Sequence, residues 1–237
     1  MIEEVQRKVQ FSEVDDKLHM KLDNMLNAMQ DCINEQSESI GRGVNYMLEK
    51  KRTWFVVGWE IEIRNYPSLR EMITVKTWPT GFSATLGFRN AVIFSKEGEI
   101  LVCGESTWAM MDMQTNSLSK ITAEDVEGYE LEEKFPMEYR GRKIKLPKEW
   151  QEAGEIEVGK NLLDYNRHMS NGKYIEMAYE YVPVNENIKK IRAEYKNQSI
   201  YKEKLQVKVS KQEQYYIVLF LGEQGETKAA VEFTVHD

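Results

Sequence analysis

The chain repeats itself, and the repeat limits what it can fold into. Laying Val9–Leu26 (VQFSEVDDKLHMKLDNML) beneath Val158–Ile175 (VGKNLLDYNRHMSNGKYI) puts Val9 on Val158, Val14 on Leu163, Asp15 on Asp164 and His19 on His168. Met20 then falls on Met169, Met25 on Tyr174 and Leu26 on Ile175. Self-similarity of this kind means that one supersecondary unit has been built twice. In each copy an extended stretch leads through a polar turn into an amphipathic helix. The first helix carries Leu22, Met25, Leu26, Met29 and Ile33 on one face, and the second carries Tyr174, Ile175, Ala178, Tyr181 and Val182.

After each helix the periodicity changes to that of strands. WFVVGWEIEIRNYP, EMITVKTWP, TLGFRNAVIF and EILVCGESTWAMMD follow the first helix; KKIRAEYKN, EKLQVKVSKQ, EQYYIVLFLG and TKAAVEFTVH follow the second. All are rich in β-branched and aromatic residues with stretches of alternation. KEGE at Lys96–Glu99 and EQGE at Glu223–Glu226 supply corresponding hairpin turns, and EMITV and EKLQV match at Glu71 and Glu203. The expected fold is α+β: in each copy a long helix packs on one face of an antiparallel sheet of about four or five strands. The first copy spans residues 1–126 and the second 155–237. Residues 127–154, charged and carrying Pro136 and Pro147, read as a linker. Its stretch RGRKIKLPK holds Arg140, Arg142, Lys143 and Lys145 without an acidic residue, which suits either a solvated connector or a docking strip for an acidic partner.

A net charge of -7 argues against nucleic acid as the partner. No apolar run approaches the roughly 18 residues of a membrane span. The start, MIEEVQRKVQ, lacks the basic and apolar regions of a signal peptide, so a cytoplasmic location is expected. Cys32 and Cys103 have no metal-ligand spacing and read as reduced, structural thiols.

Reactive groups crowd together at DYNRHMSNGKY, Asp164–Tyr174. If the segment before Asn171 is extended, Asp164, Asn166 and His168 share a face. Activating water against a carbonyl needs a group to hold or deprotonate the water, one to polarise the carbonyl and one to orient both; these three side chains can supply them. The first copy keeps Asp15 and His19 but has Lys17 for Asn166 and Leu22 for Asn171, so chemistry is expected only in the second.

A helix wrapped by a curved antiparallel sheet, duplicated, with Asp-x-Asn-x-His before the second helix, resembles the hotdog fold. More closely, the chain is similar to the acyl-acyl carrier protein thioesterases of bacteria and plants. The family's tryptophan-led strand, Tyr-Pro turn, Val-x-Thr-Trp strand, Trp-x-Met-Met strand and Leu-Ser-Lys-Ile match Trp54–Ile63, Tyr66-Pro67, Val75–Trp78, Trp108–Met111 and Leu118–Ile121. Its Asp-x-Asn-x-His-x-x-Asn-x-x-Tyr run matches Asp164, Asn166, His168, Asn171 and Tyr174. The resemblance implies a double hotdog, with an acyl-chain-binding first copy and a catalytic second copy that hydrolyses the thioester of fatty acyl-acyl carrier protein without a cofactor.

It also implies roles. Asp164 is the base or the nucleophile, Asn166 orients water or carbonyl, and His168 hydrogen-bonds the reacting groups. Asn171 and Gly172 open a helix whose N-terminus favours developing negative charge; Tyr174 packs. Met25, Met29, Met110 and Met111 suit an acyl tunnel, although core packing explains them equally well. In plant members a strand of the second domain carries glutamate followed by cysteine. Laying AEYKNQS over it puts Gln198 and Ser199 there, which excludes a thiolate; Glu194 and Glu203 lie nearby without family position favouring them. Carrier docking falls to Arg140, Arg142, Lys143 and Lys145 first, and to Lys50, Lys51 and Arg52 second. An acyl-CoA thioesterase on the same fold and a non-catalytic acyl-thioester-binding protein are the alternatives; a hotdog dehydratase fits less well. Two fused copies allow a monomer or a homodimer.

Overall fold

The computed structural model describes residues 1–184 and 186–235. The last predicted strand ends on His236 and the second predicted domain on Asp237, both outside the described residues. The chain forms two compact units, one of residues 1–57 and 61–139, the other of residues 58–60 and from 140 onward.

The first unit contains β1 (Glu3–Lys8), α1 (Leu22–Ser39), α2 (Val44–Glu49), β2 (Arg52–Ile63, apart from residues 58–60, which belong to the second unit), β3 (Met72–Phe82), β4 (Leu86–Phe94), β5 (Ile100–Asp112) and β6 (Ser117–Leu118). Its strands run β1-β3-β4-β5-β2, with β6 on β5, and the pairs β1·β3, β3·β4 and β4·β5 are antiparallel. The apolar stripe of α1 buries Leu22, Met25, Leu26, Met29, Cys32 and Ile33, with the helix on β1, β3 and β4. Each such aliphatic side chain contributes about 1.5–3 kcal/mol on burial.

The second unit contains β7 (Gln151–Glu157), α3 (Asn171–Tyr179), β8 (Ile188–Tyr195), β9 (Lys204–Lys211), β10 (Tyr215–Leu221) and β11 (Thr227–Val235). The order is β8-β11-β10-β9-β7, antiparallel throughout. α3 buries Tyr174, Ile175 and Ala178 and contacts β11. It stops two residues short of Tyr181, so Tyr181 and Val182, expected on the helix, lie beyond its end. Pro183 accounts for this, because the residue before a proline is pushed out of the helical region. The second helix is therefore short, not long.

The copies agree down to backbone bonds. Val9 N–H donates to Glu71 C=O at 2.9 Å, and Val158 N–H to Glu203 C=O at 2.9 Å. Ser68 N–H donates to the Glu71 carboxylate at 2.8 Å, and Ile200 N–H to that of Glu203 at 3.0 Å. Both predicted hairpins close as expected, with Gly98 and Gly225 at φ 87° and 79°, where a side chain would be strained. β1 and β7 are not expected from the sequence: charged side chains mask the one-sided alternation of β1, and a register shift between Glu152 and Gly154 breaks the alternation of β7.

The predicted linker is not a solvated connector, and β7 begins inside it, at Gln151. In the first unit, Trp78 Nε1 donates to Glu133 C=O at 2.9 Å and Phe135 N–H to Asn90 Oδ1 at 2.9 Å, seating Phe135 and Met137 on Trp78, Val92 and Cys103. In the second, buried Ile144, with Leu146 and Trp150, covers Ile217, Leu219 and Ala230. Arg192 Nη2 donates to Gly141 and Lys143 C=O, and Ile144 N–H donates to Glu194 Oε2 at 3.0 Å. A Cβ on Gly58 would lie 2.7 Å from Arg142 Cβ, so the strap fits only over glycine.

Candidate active site

Asp164, Asn166 and His168 do not lie on an extended segment. Leu163 pairs with Met169, so the residues between them reverse direction in a tight turn. Asp164 Oδ1 accepts Asn166 N–H at 2.8 Å and His168 N–H at 3.1 Å, and Arg167 occupies the left-handed region at φ 64°. A short carboxylate that caps its own backbone competes well with a strand here, which is why alternation fails as a guide. The first copy is built identically: Asp15 Oδ1 accepts from Lys17 and His19 N–H, both at 2.9 Å, and Leu18 has φ 62°. One oxygen of each aspartate is therefore structural in both copies.

The turn is held beside the connection between β8 and β9. His168 pairs with Ile200, and Met169 N–H donates to Ser199 C=O at 2.8 Å. Asp164, Asn166, His168, Gln198 and the start of α3 thus belong to one neighbourhood. Tyr174, expected to pack, does more: its hydroxyl donates to Ser199 Oγ at 2.7 Å, while Tyr195 OH donates to Asn171 C=O at 3.0 Å. The Tyr174 ring lies 5.8 Å from Tyr195 and 5.4 Å from Phe220. Burial drives the pKa of both phenols well above the usual tyrosine range, so they act as neutral donors.

The placement of Gln198 and Ser199 on a strand needs correction. β8 ends at Tyr195, and both residues follow it in the connection. The glutamate on the strand itself is Glu194, followed by Tyr195. Glu194 serves the strap through Ile144, whereas Tyr195, its side chain on the opposite face, reaches α3. A cysteine is absent from either placement.

Met25, Met29 and Met110 are buried in the first unit, and Met111 is half-buried where β5 meets Leu118. Cys32 and Cys103 are free and buried; burial pushes the Cys32 thiol up to about 12. Among the described residues no group of three or more His, Cys, Asp or Glu is arranged to hold a metal, and no helix is long and apolar enough to cross a membrane.

The basic candidates separate. Arg140 Nη1 lies 2.7 Å from Glu232 Oε1, which Arg192 also contacts at 3.1 Å. Among the described residues Arg142, Lys143 and Lys145 form no ion pair, and the two lysines are exposed. In the second group Lys50 pairs with Glu124 at 2.6 Å, and Arg52 is taken up by buried Asp125, Ser119 and Lys120 C=O. Their charges serve the first unit's own structure. The Tyr195 hydroxyl on Asn171 and the Tyr174–Ser199 bond are not foreseen by the sequence reading; the signal available is the copy-to-copy comparison extended past the turn.

Residues 4–129 match the model of the acyl-ACP thioesterase N-terminal domain, and residues 146–235 that of the acyl-ACP thioesterase C-terminal domain. A chloroplastic acyl-[acyl-carrier-protein] hydrolase of Cuphea viscosissima is 32% identical over 147 residues, 58% of this chain and 35% of the relative. A dodecanoyl-[acyl-carrier-protein] hydrolase of Cinnamomum camphora is 29% identical over 67% of this chain and 45% of its own length. The chain thus spans well under two thirds of these curated relatives. In fold it is similar to an acyl-ACP thioesterase from Bacteroides thetaiotaomicron (TM-score 0.91, 20% identity, 99% and 98% of the two chains) and to the 12:0-ACP thioesterase from Umbellularia californica (0.88, 18%, 99% and 97%).

Proposed function

We propose, from the premise that this chain belongs to the acyl-ACP thioesterase family, that it hydrolyses the thioester of fatty acyl-acyl carrier protein to free fatty acid and carrier thiol. Each unit is read as a hotdog, with residues 155–237 catalytic and 1–126 holding the acyl chain. The observation that carries the reading is the Asp164–His168 turn, fixed against Ser199 and Ile200 in the copy that also has Asn166 and Asn171.

Water attacks the thioester carbonyl carbon, the C–S bond breaks, and the departing sulfur takes a proton. Asp164 uses Oδ1 to hold the turn, leaving Oδ2 to accept the proton of the attacking water or, in the nucleophilic variant, to attack directly. Asn166, exposed at the turn, orients water or carbonyl, and His168 passes a proton to sulfur. The N–H groups at Asn171 and Gly172 stabilise the oxyanion. Gln198 contributes an amide that positions water without taking its proton. Met25, Met29, Met110 and Met111 give the acyl chain a soft lining. The acidic carrier meets Arg142, Lys143 and Lys145 on the strap, with Arg140 held by Glu232, and also Lys160 and Lys202, which flank the Tyr201 ring at 5.9 and 5.6 Å.

Release of free acid from long-chain acyl-carrier protein, compared with the same acyl group on coenzyme A, tests the reaction and its carrier. Preference for coenzyme A replaces the carrier assignment; tight binding of either thioester without release removes the enzyme reading. Charge reversal at Lys143 and Lys145 should raise KM for the carrier substrate and spare a short soluble thioester.

A further inference from the structure

Lys228 stands at the start of β11 with its side chain buried, an unusual place for an ammonium. Its Nζ reaches Glu203 Oε1 at 2.5 Å, Glu226 Oε1 at 2.9 Å and Gln198 C=O at 3.1 Å. Glu203 also accepts Ile200 N–H through its other oxygen at 3.0 Å. Lys228 is therefore tied to the residues on both sides of Ser199, directly at Gln198 and through Glu203 at Ile200. That three-residue segment is the one against which His168 and Met169 are paired.

The first copy identifies what is special here. Leu101 C=O accepts Arg64 and Asn65 N–H, as Lys228 C=O accepts Lys196 and Asn197 N–H, so Leu101 and Lys228 are equivalent positions. By the same matching Pro67 corresponds to Ser199, since Met20 N–H donates to Pro67 C=O at 2.7 Å. Glu71 keeps its bond to Ser68, so the shared turn geometry does not require a lysine at the Leu101 position. A buried cation with two carboxylates costs desolvation that a leucine avoids, and a well-packed apolar group is often the more stable choice. The extra cost falls in the copy that carries the candidate catalytic turn.

We propose that Lys228, with Glu203, is a positioning residue for thioester hydrolysis, fixing Gln198–Ile200 so that His168 is held in register with Asp164. The inference rests on the hydrolytic reading above. A displaced segment shifts His168 by a fraction of an ångström to an ångström, enough to slow the chemical step about tenfold or more while leaving substrate binding intact.

The test compares Lys228→Met, Lys228→Arg and Glu226→Gln with wild type on long-chain acyl-carrier protein, measuring kcat and KM separately well below each unfolding temperature. The expected result is kcat lowered at least tenfold in Lys228→Met with KM within twofold, recovery of most of that loss in Lys228→Arg, and unchanged kcat in Glu226→Gln. A folded Lys228→Met with kcat within twofold of wild type overturns the proposal. If Lys228→Met does not fold, Glu203→Gln serves instead: a severalfold kcat loss at constant KM supports positioning, and wild-type kcat overturns it. An inactive wild type overturns the hydrolytic reading and this inference together, whereas an active wild type with indifferent variants overturns the inference alone.

Discussion

The turns at Asp15–His19 and Asp164–His168 share their backbone bonds, the aspartate cap and a left-handed fourth position, Leu18 in one and Arg167 in the other, yet their surroundings differ in kind. Around the first, the positions equivalent to Tyr174, Ser199 and Lys228 are Met25, Pro67 and Leu101, and His19 stacks on Tyr66 at 5.3 Å. Around the second, hydroxyls and an ammonium hold the neighbouring segments in place. The comparison teaches that the aspartate-capped turn is a structural inheritance of both copies, so an aspartate and a histidine in it do not by themselves make a site. Function is to be sought in what the second copy adds.

The largest effect expected from breaking the comparison is at the histidines. His168→Ala should lower kcat by about 10²–10⁴, and His19→Ala by less than twofold. Equal losses measured on the same substrate would make both turns purely structural. Asp164→Asn is subtler, because an amide oxygen can still cap the turn while the charge is gone. A kcat loss of about 10² with little change in Tm assigns the charge to chemistry; Asp15→Asn should leave kcat unchanged.

Next in size is the hydroxyl pair. Tyr174→Phe and Ser199→Ala should each cost about 1 kcal/mol in chemical denaturation, and the double variant little more than either alone. Full additivity would show that the two hydroxyls do not act as a pair.

The lysine brace supplies a pH test. Burial pulls the Lys228 pKa down, but Glu203 and Glu226 outweigh it and hold the ammonium above the ordinary lysine range. Its charge-dependent stabilisation is therefore fully present below about pH 10.4 and lost as pH rises through the higher folded value. The Tm difference between wild type and Lys228→Met should be flat from pH 7 to 9 and shrink above about 10.5; a difference growing with pH contradicts this. The smallest effect is at Leu18 and Arg167, where glycine relieves the left-handed backbone. Leu18→Gly and Arg167→Gly should each raise stability by up to about 1 kcal/mol, with kcat spared at Leu18.

Much of this was legible in the sequence because short-range rules govern it. The stripe of α1, the paired hairpins at Gly98 and Gly225 and the central strands follow from periodicity and turn chemistry. The connector reads as solvated in sequence because Phe135, Met137 and Tyr139, and then Ile144 and Leu146, alternate too briefly among charges to register as apolar. The resemblance puts Gln198 on a strand, whereas the end of β8 at Tyr195 is set by its pairing with Ala229, a partner far along the chain.

The amino-acid order by itself determined that the unit occurs twice, that only one copy holds Asp-x-Asn-x-His-x-x-Asn, and which family the chain belongs to, since each is carried by residue identities at fixed spacing. Tertiary structure alone decided that Asp164 spends one oxygen on its own backbone, that Glu194 serves the strap, and that Lys228 braces the segment beside His168. Such assignments depend on which remote groups compete for the same hydrogen bonds after burial, and spacing along the chain carries no record of that competition.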